Sequence, residues 1–191
     1  MKRTAIILSS LVLAFVAMSF NDAEGESKQI DTEKSKVTWK GYKVTGSHEG
    51  TVDIKEGNLT FKDGKLTGGS FVMDMASIVS TDLTGEYKGK LEGHLKSDDF
   101  FGVEKHPTAT LVFTSVKSTG KNSYQVKGDL TIKGKTEKVT FDLSVYGSKA
   151  TANLKIDRSK FDVRYGSPSF FDDLKDKAIY DEFDLVSDLQ F

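Results

Sequence analysis

KGDLTIKGKTEKVTFDLSVYG, residues 127–147, is the stretch on which the fold turns. Leu130 and Ile132 alternate with Asp129, Thr131 and Lys133, and Val139, Phe141, Leu143 and Val145 alternate with Lys138, Thr140, Asp142 and Ser144. A period of two places the apolar side chains on one face of a strand and the polar ones on the other. The turn between the two runs, Lys133-Gly134-Lys135, is too short for a crossover, so the strands are antiparallel neighbours. Working outward, Leu59 and Phe61 lead through Asp63-Gly64 to Phe71, Met73 and Met75, and Leu111 and Phe113 precede Val126, with Val112 blurring the pattern. After Gly147-Ser148 come Ala152, Leu154 and Ile156, and Phe183, Leu185, Leu189 and Phe191 close the chain. Eight or nine strands with one apolar face each must bury that face in a sandwich or a closed barrel. Mostly hairpin connections in up-and-down order favour the all-β, eight-stranded antiparallel barrel, which also removes exposed edges.

Two stretches break the alternation. Within Thr81 to Pro107, Tyr87, Leu91, His94 and Leu95 fall on one helical face, with Lys88, Lys90, Glu92 and Lys96 toward water. Ser97 before Asp98-Asp99 predicts the N-cap of a second short helix carrying Phe100 and Phe101, and Pro107 forces His106 into an extended conformation. The other excursion, Arg164 to Tyr180, carries Pro168 and Phe170-Phe171 and predicts a second lid.

Lys2-Arg3, the apolar run Ala5–Met18 and the small residues around Ser19 have the layout of a secretory signal peptide over residues 1–19. Polar residues 20–29 then form a tether and residues 30–191 the folded domain, which places the protein in the periplasm or outside the cell. Without the first 19 residues, 25 basic side chains face 28 acidic ones, a charge of −3. That balance argues against nucleic acid, which demands a basic surface. The chain has no cysteine, so no disulfide is available.

His48, His94 and His106 are the only histidines, with no HExxH spacing for a metal. There is no GxSxG, and Ser97 near His94 lacks a third member for a catalytic triad. No catalytic residue, metal or cofactor is assigned, and an enzyme is not expected. What stands out is 13 Phe, 4 Met and 1 Trp, either a packed core or the lining of a cavity.

Four stretches carry a likeness to a known family. HLKSDDFF at His94–Phe101, with Pro107-Thr108-Ala109-Thr110 after it, is the most specific. GDLTIKG at Gly128–Gly134, IDRSKF at Ile156–Phe161, and Asp181-Glu182-Phe183 support it. In these the chain resembles the YceI-like polyisoprenoid-binding proteins, over Ile30 to Phe191. The resemblance implies a lipocalin-like barrel around a long apolar chain in an exported carrier. One position departs: the family usually has Gly where this chain has Asp162. On this reading an isoprenoid or other long-chain lipid lies against Trp39, Val52, Ile54, Phe61, Phe71, Met73, Leu111, Phe113, Leu130, Ile132 and Phe141. Phe100, Phe101 and Phe161 stand near the openings, and Lys96, Asp99, Arg158 and Tyr165 meet a polar head. The membrane is a transient partner, and self-association to a homodimer stays open. The rival is a stress-related or protein-interaction module with a packed barrel, working through outward apolar residues such as Val72, Val112 and Tyr124. A lipid-ester hydrolase using His94 is the weaker rival.

Overall fold

A computed structural model describes residues 25–191; the signal segment and the first half of the tether read from the sequence lie outside them. The elements are β1 (Glu26–Gln29), β2 (Lys36–Lys43), β3 (Gly46–Lys62), β4 (Lys65–Ser80), α1 (Gly85–Lys96), β5 (Thr108–Ser118), β6 (Ser123–Ile132), β7 (Lys135–Tyr146), β8 (Lys149–Asp157) and β9 (Ile179–Gln190). Short 3-10 turns occupy Arg158–Phe161 and Lys175–Lys177. All strand pairs are antiparallel, in the order β3-β2-β9-β8-β7-β6-β5-β4, and β4 pairs back to β3, which closes an eight-stranded barrel.

β1 is the ninth strand, and it lies in the stretch whose polarity reads as a tether. It shares one edge of β3 with β2, pairing Glu26↔Phe61 to Gln29↔Asn58 while β2 pairs Val37↔Val52 to Lys43↔Gly46. Backbone pairing to an open edge requires no apolar side chain, so the alternation signal is silent there. Among the described residues the paired strands therefore begin at Glu26, ahead of Ile30.

Turn chemistry follows from backbone sterics. Asp63-Gly64 and Lys133-Gly134 both sit at positive φ, 52° and 72° in the first and 50° and 72° in the second, as two-residue hairpins require. Register shifts interrupt the β3–β4 ladder at three places, and such bulges bend long strands so that a sheet can curl shut. The strand directions divide the barrel into unlike ends. Tight hairpins (62–65, 118–123, 146–149) close the lower end, where Phe61 and Phe191 lie 5.5 Å apart and the Tyr124 hydroxyl accepts the Leu66 N–H at 3.4 Å. The long connections, α1 with residues 97–107 and the loop 158–178, form a cap at the upper end.

The helix expected between β4 and β5 is present, but turned. Leu91, Glu92 and Leu95 face the barrel, and Tyr87 is 74% exposed. The reason is polar: the Glu92 carboxylate accepts the N–H of fully buried Ser80 at 2.9 Å. No second helix follows. Ser97 is the C-cap of α1, its N–H bonded to the Gly93 and His94 carbonyls, and the chain reverses so that Phe101 N–H reaches Leu95 O and Val103 N–H reaches Lys96 O. This fold-back aims Phe100 and Phe101 at the barrel mouth.

Candidate functional site

Inward positions along the strands enclose two apolar cavities stacked on the barrel axis. The lower, about 100 Å³, is walled by Val52, Ile54, Phe71, Met73, Leu111, Phe113, Leu130 and Phe141, with Val37, Thr110, Leu143, Ala152, Leu154, Leu185, Ser187 and Leu189 completing it. The upper, about 130 Å³, lies under the cap among Trp39, Phe100, Phe101 and Ile132, with Met75, Ile78, Leu95, Ala109, Ile179 and Phe183. Val52, Met73, Leu130 and Leu185 belong to both walls, so the two form one interior separated by a waist.

Of the fourteen ligand-facing residues expected from sequence, the structure brings twelve onto these walls. Phe61 is elsewhere because the lower end closes over it, with its ring against Phe191 and the Lys28 ammonium 5.4 Å above. Phe161 is 1% exposed and belongs to the 3-10 turn packed against β7 and β9; it borders a groove on the outside of the barrel rather than an opening of the cap. Met75, Leu143, Leu154 and Leu185 were legible as inward by their alternation, whereas Leu95 enters from α1, where no strand period announces it.

Glycines at inward seats make room for the rings. Gly50 pairs with Trp39, whose indole lies 2.6 Å from where a Cβ would stand. Gly128 lies opposite Phe113 in the register, and a Cβ on Gly69 would meet the Phe113 ring at 2.9 Å. The result is an aromatic row, Phe71 to Phe113 to Phe141, at centroid spacings of 5.8 Å each.

Apart from Thr110 and Ser187 in the lower wall, the polar groups gather at the cap. Arg158, 2% exposed, lines the upper cavity but is spent on structure: Nε donates to Tyr180 O at 3.2 Å, Nη1 to Val163 O at 2.8 Å and Nη2 to Ile179 O at 2.8 Å. Burial lowers its pKa from the usual value, opposed by Asp181, 3.6 Å away, and Asp157. Its guanidinium also stacks 5.4 Å above the Phe100 ring. Asp99 and Tyr165 line a cleft of about 510 Å³ beside the cap, together with Asp98, Lys133, Asp162, Arg164 and Lys177; Lys96 is not among its walls. Tyr165 lies edge-on to His94 at 4.3 Å, and His94 edge-on to Phe100 at 5.7 Å. A file of rings thus joins the polar cleft to the upper cavity.

The departure at Asp162 has a local cause. Its φ of 61° is left-handed, where Gly is free of strain and Asp among the better tolerated alternatives. The Asp162 carboxylate accepts from Arg164 Nε at 2.6 Å, and this partner holds its pKa below the usual range against some desolvation.

Neither rival site is assembled. The Ser97 hydroxyl donates to the His94 backbone carbonyl at 2.8 Å rather than to its ring, whose Nε2 has no hydrogen-bond partner among the described residues. His48 pairs with Asp82 at 2.8 Å, far along the chain from both. On the outer face Val112 is exposed, but Tyr124 is buried at the lower end; Val186, also exposed, lies on β9, with β8, β7 and β6 between it and β5.

Comparison with known proteins gives a consistent picture. The profile of the YceI-like domain family matches residues 29–191. A UPF0312 protein of Pseudomonas putida (strain W619) is 36% identical over 87 residues, 41% of this chain and 45% of that protein. One from Azotobacter vinelandii is 48% identical over 46 residues, 24% of each chain. These matches span less than half the length of either relative. Burkholderia cenocepacia BcnA superposes with a TM-score of 0.64 at 27% identity, covering 84% of this chain and 98% of that one. A polyisoprenoid binding domain from Saccharophagus degradans, implicated in plant cell wall breakdown, does so at 0.60 and 14%, covering 87% and 97%; at that identity the likeness is one of fold.

Proposed function

The chain belongs to the YceI-like domain family, and from that premise we propose that it is an exported binding protein that holds an isoprenoid or similar long apolar chain inside its barrel. The observation that carries this is the pair of joined apolar cavities within a closed barrel, reached past a file of rings from a polar cleft. The tail lies along the axis among Trp39, Met73, Phe113 and Phe141, and the head stays in the cleft beside Asp99, Lys133 and Tyr165. A polyisoprenoid-binding description of the Saccharophagus neighbour agrees with this choice of ligand. Export rests on the basic, apolar and small-residue order of residues 1–19.

Energetics favour the reading. A tail of about 40 carbons at roughly −0.3 kcal/mol per heavy atom reaches about −12 kcal/mol, near nanomolar affinity. The cavities approach the scale at which a hollow of about 150 Å³ admits benzene, so each takes a segment of tail as it stands. Seating a longer one requires Met73 at the waist and the aromatic row to swing aside, and an unbranched thioether does this at low cost. Affinity then comes from burial, and discrimination between tails of similar length is weak.

Trp39, the sole tryptophan, stands in the upper wall and reports occupancy directly. Titration with prenyl alcohols of 10, 15 and 20 carbons shifts its emission, with affinity rising along the series. Phe113→Asp or Phe141→Asp places a charge in the wall and abolishes the shift. A folded Phe113→Asp variant with unchanged affinity, or a wild-type protein whose Trp39 emission ignores all three alcohols, overturns the assignment.

A further inference from the structure

The barrel wall is not hydrogen-bonded all the way along. The β7–β8 ladder runs only from Tyr146↔Lys149 to Asp142↔Asn153. Above that rung Lys135–Phe141 remain paired to β6, and Leu154–Asp157 to β9, so the two strands part company toward the upper end. Phe161, 1% exposed, sits at this parting, on the 3-10 turn that packs against β7 and β9. Outside it lies a groove of about 240 Å³ bordered by Val139, Thr140, Lys155 and Ile156; inside, Phe141 and Leu154 line the lower cavity.

Both ends of the barrel are tied, and the other short ladder, β4–β5, which runs only from Asp74↔Thr108 to Ser70↔Val112, parts toward the closed lower end. At the upper end Arg158 binds three carbonyls of the cap, those of Val163, Ile179 and Tyr180. The lower end is closed by hairpins and by the Phe61–Phe191 contact. We propose that the slot between β7 and β8 is the passage by which the apolar tail enters and leaves the barrel, with Phe161 as its gate. This inference rests on the carrier reading of the interior. Passage there requires one ring to change rotamer and breaks no rung of the sheet, whereas lifting the cap strands a buried guanidinium. The head remains in its cleft while the tail slips sideways through the wall.

Because the chain has no cysteine, the slot can be tied chemically. Thr140→Cys with Lys155→Cys places thiols on the outer face two residues beyond the last rung, for bridging with a short bis-maleimide. Val44→Cys with Ala178→Cys ties the cap instead, where Val44 N–H donates to Ala178 O at 3.2 Å. The probe is cis-parinaric acid, followed by stopped-flow fluorescence. Bridging the slot slows both uptake and release by about tenfold or more at unchanged equilibrium affinity, while bridging the cap leaves both rates alone. Phe161→Ala, or Phe161→Leu should the first fail to fold, speeds exchange. The reverse pattern, or exchange indifferent to the slot bridge, overturns the slot and leaves the carrier reading standing. A protein that binds no probe before bridging overturns the carrier reading, and the slot with it.

Discussion

Single side chains in this barrel answer to their neighbours' volume and charge. Gly50 is the sharpest case, since a Cβ there would overlap the Val79 carbonyl and press on Trp39. Gly50→Ala therefore destabilises by roughly 1–3 kcal/mol, the range for overpacking, measured by urea denaturation. Asp162→Gly keeps or raises the melting midpoint because it relieves a left-handed φ, while Asp162→Val lowers it. Tyr42 and Asp184 make a pH-dependent pair: the phenol donates to Asp184 Oδ2 at 2.6 Å. That hydrogen bond holds the Asp184 carboxyl below its usual range, opposed by partial burial and helped by Lys155. A depressed carboxyl contributes stability above its unfolded pKa of about 3.9 and loses it as pH falls through the lower folded value. The same bond raises the Tyr42 pKa, so its contribution is complete below the ordinary tyrosine value and fades as pH rises through the folded one. Tyr42→Phe thus lowers the melting midpoint at neutral pH and has progressively less effect below pH of about 4.

Among the elements, the strands with alternating faces were legible and their exceptions were not. Val139 to Val145 declares its inward face through side chains alone. That same period is silent on whether a strand is paired on one side or both, which is why the parting of β7 from β8 could not be read. β1 escaped because edge pairing uses the backbone, and the turned face of α1 because Glu92 prefers a buried N–H to water. Residues 97–107 imitate a helix start, but Ser97 had already been taken as the end of the preceding one. The cap depends on Arg158. Arg158→Ala leaves the Val163, Ile179 and Tyr180 carbonyls and Asp181 without the guanidinium and costs about 3–5 kcal/mol. Hydrogen exchange should accelerate first at the amides of 163–180, and Arg158→Lys recovers only part of the loss because an ammonium lacks the planar fork.

For the molecule as a whole, the resemblance in HLKSDDFF led to the right architecture; ten wall residues lie on the strands, and Phe100 and Phe101 came with the HLKSDDFF segment itself. The head-group side was harder, because Lys133, Asp162 and Arg164 are brought together by loops of no fixed period. An occupant that binds only the folded barrel raises its stability by mass action, by about 2.7 kcal/mol at a hundredfold excess over the dissociation constant. Saturation with a twenty-carbon prenyl alcohol therefore raises the melting temperature, and the increment vanishes in Phe141→Asp. Finally, β1 and Phe191 meet at the closed end, with the Lys28 ammonium 5.8 Å above the Phe191 ring. A fusion partner or surface tag joined directly before residue 25 or after residue 191 would hang beneath the barrel and leave the cap unobstructed. The same closeness makes the chain a good subject for circular permutation, with a short linker from residue 191 to residue 25 and new ends in the exposed hairpin at Gly120-Lys121.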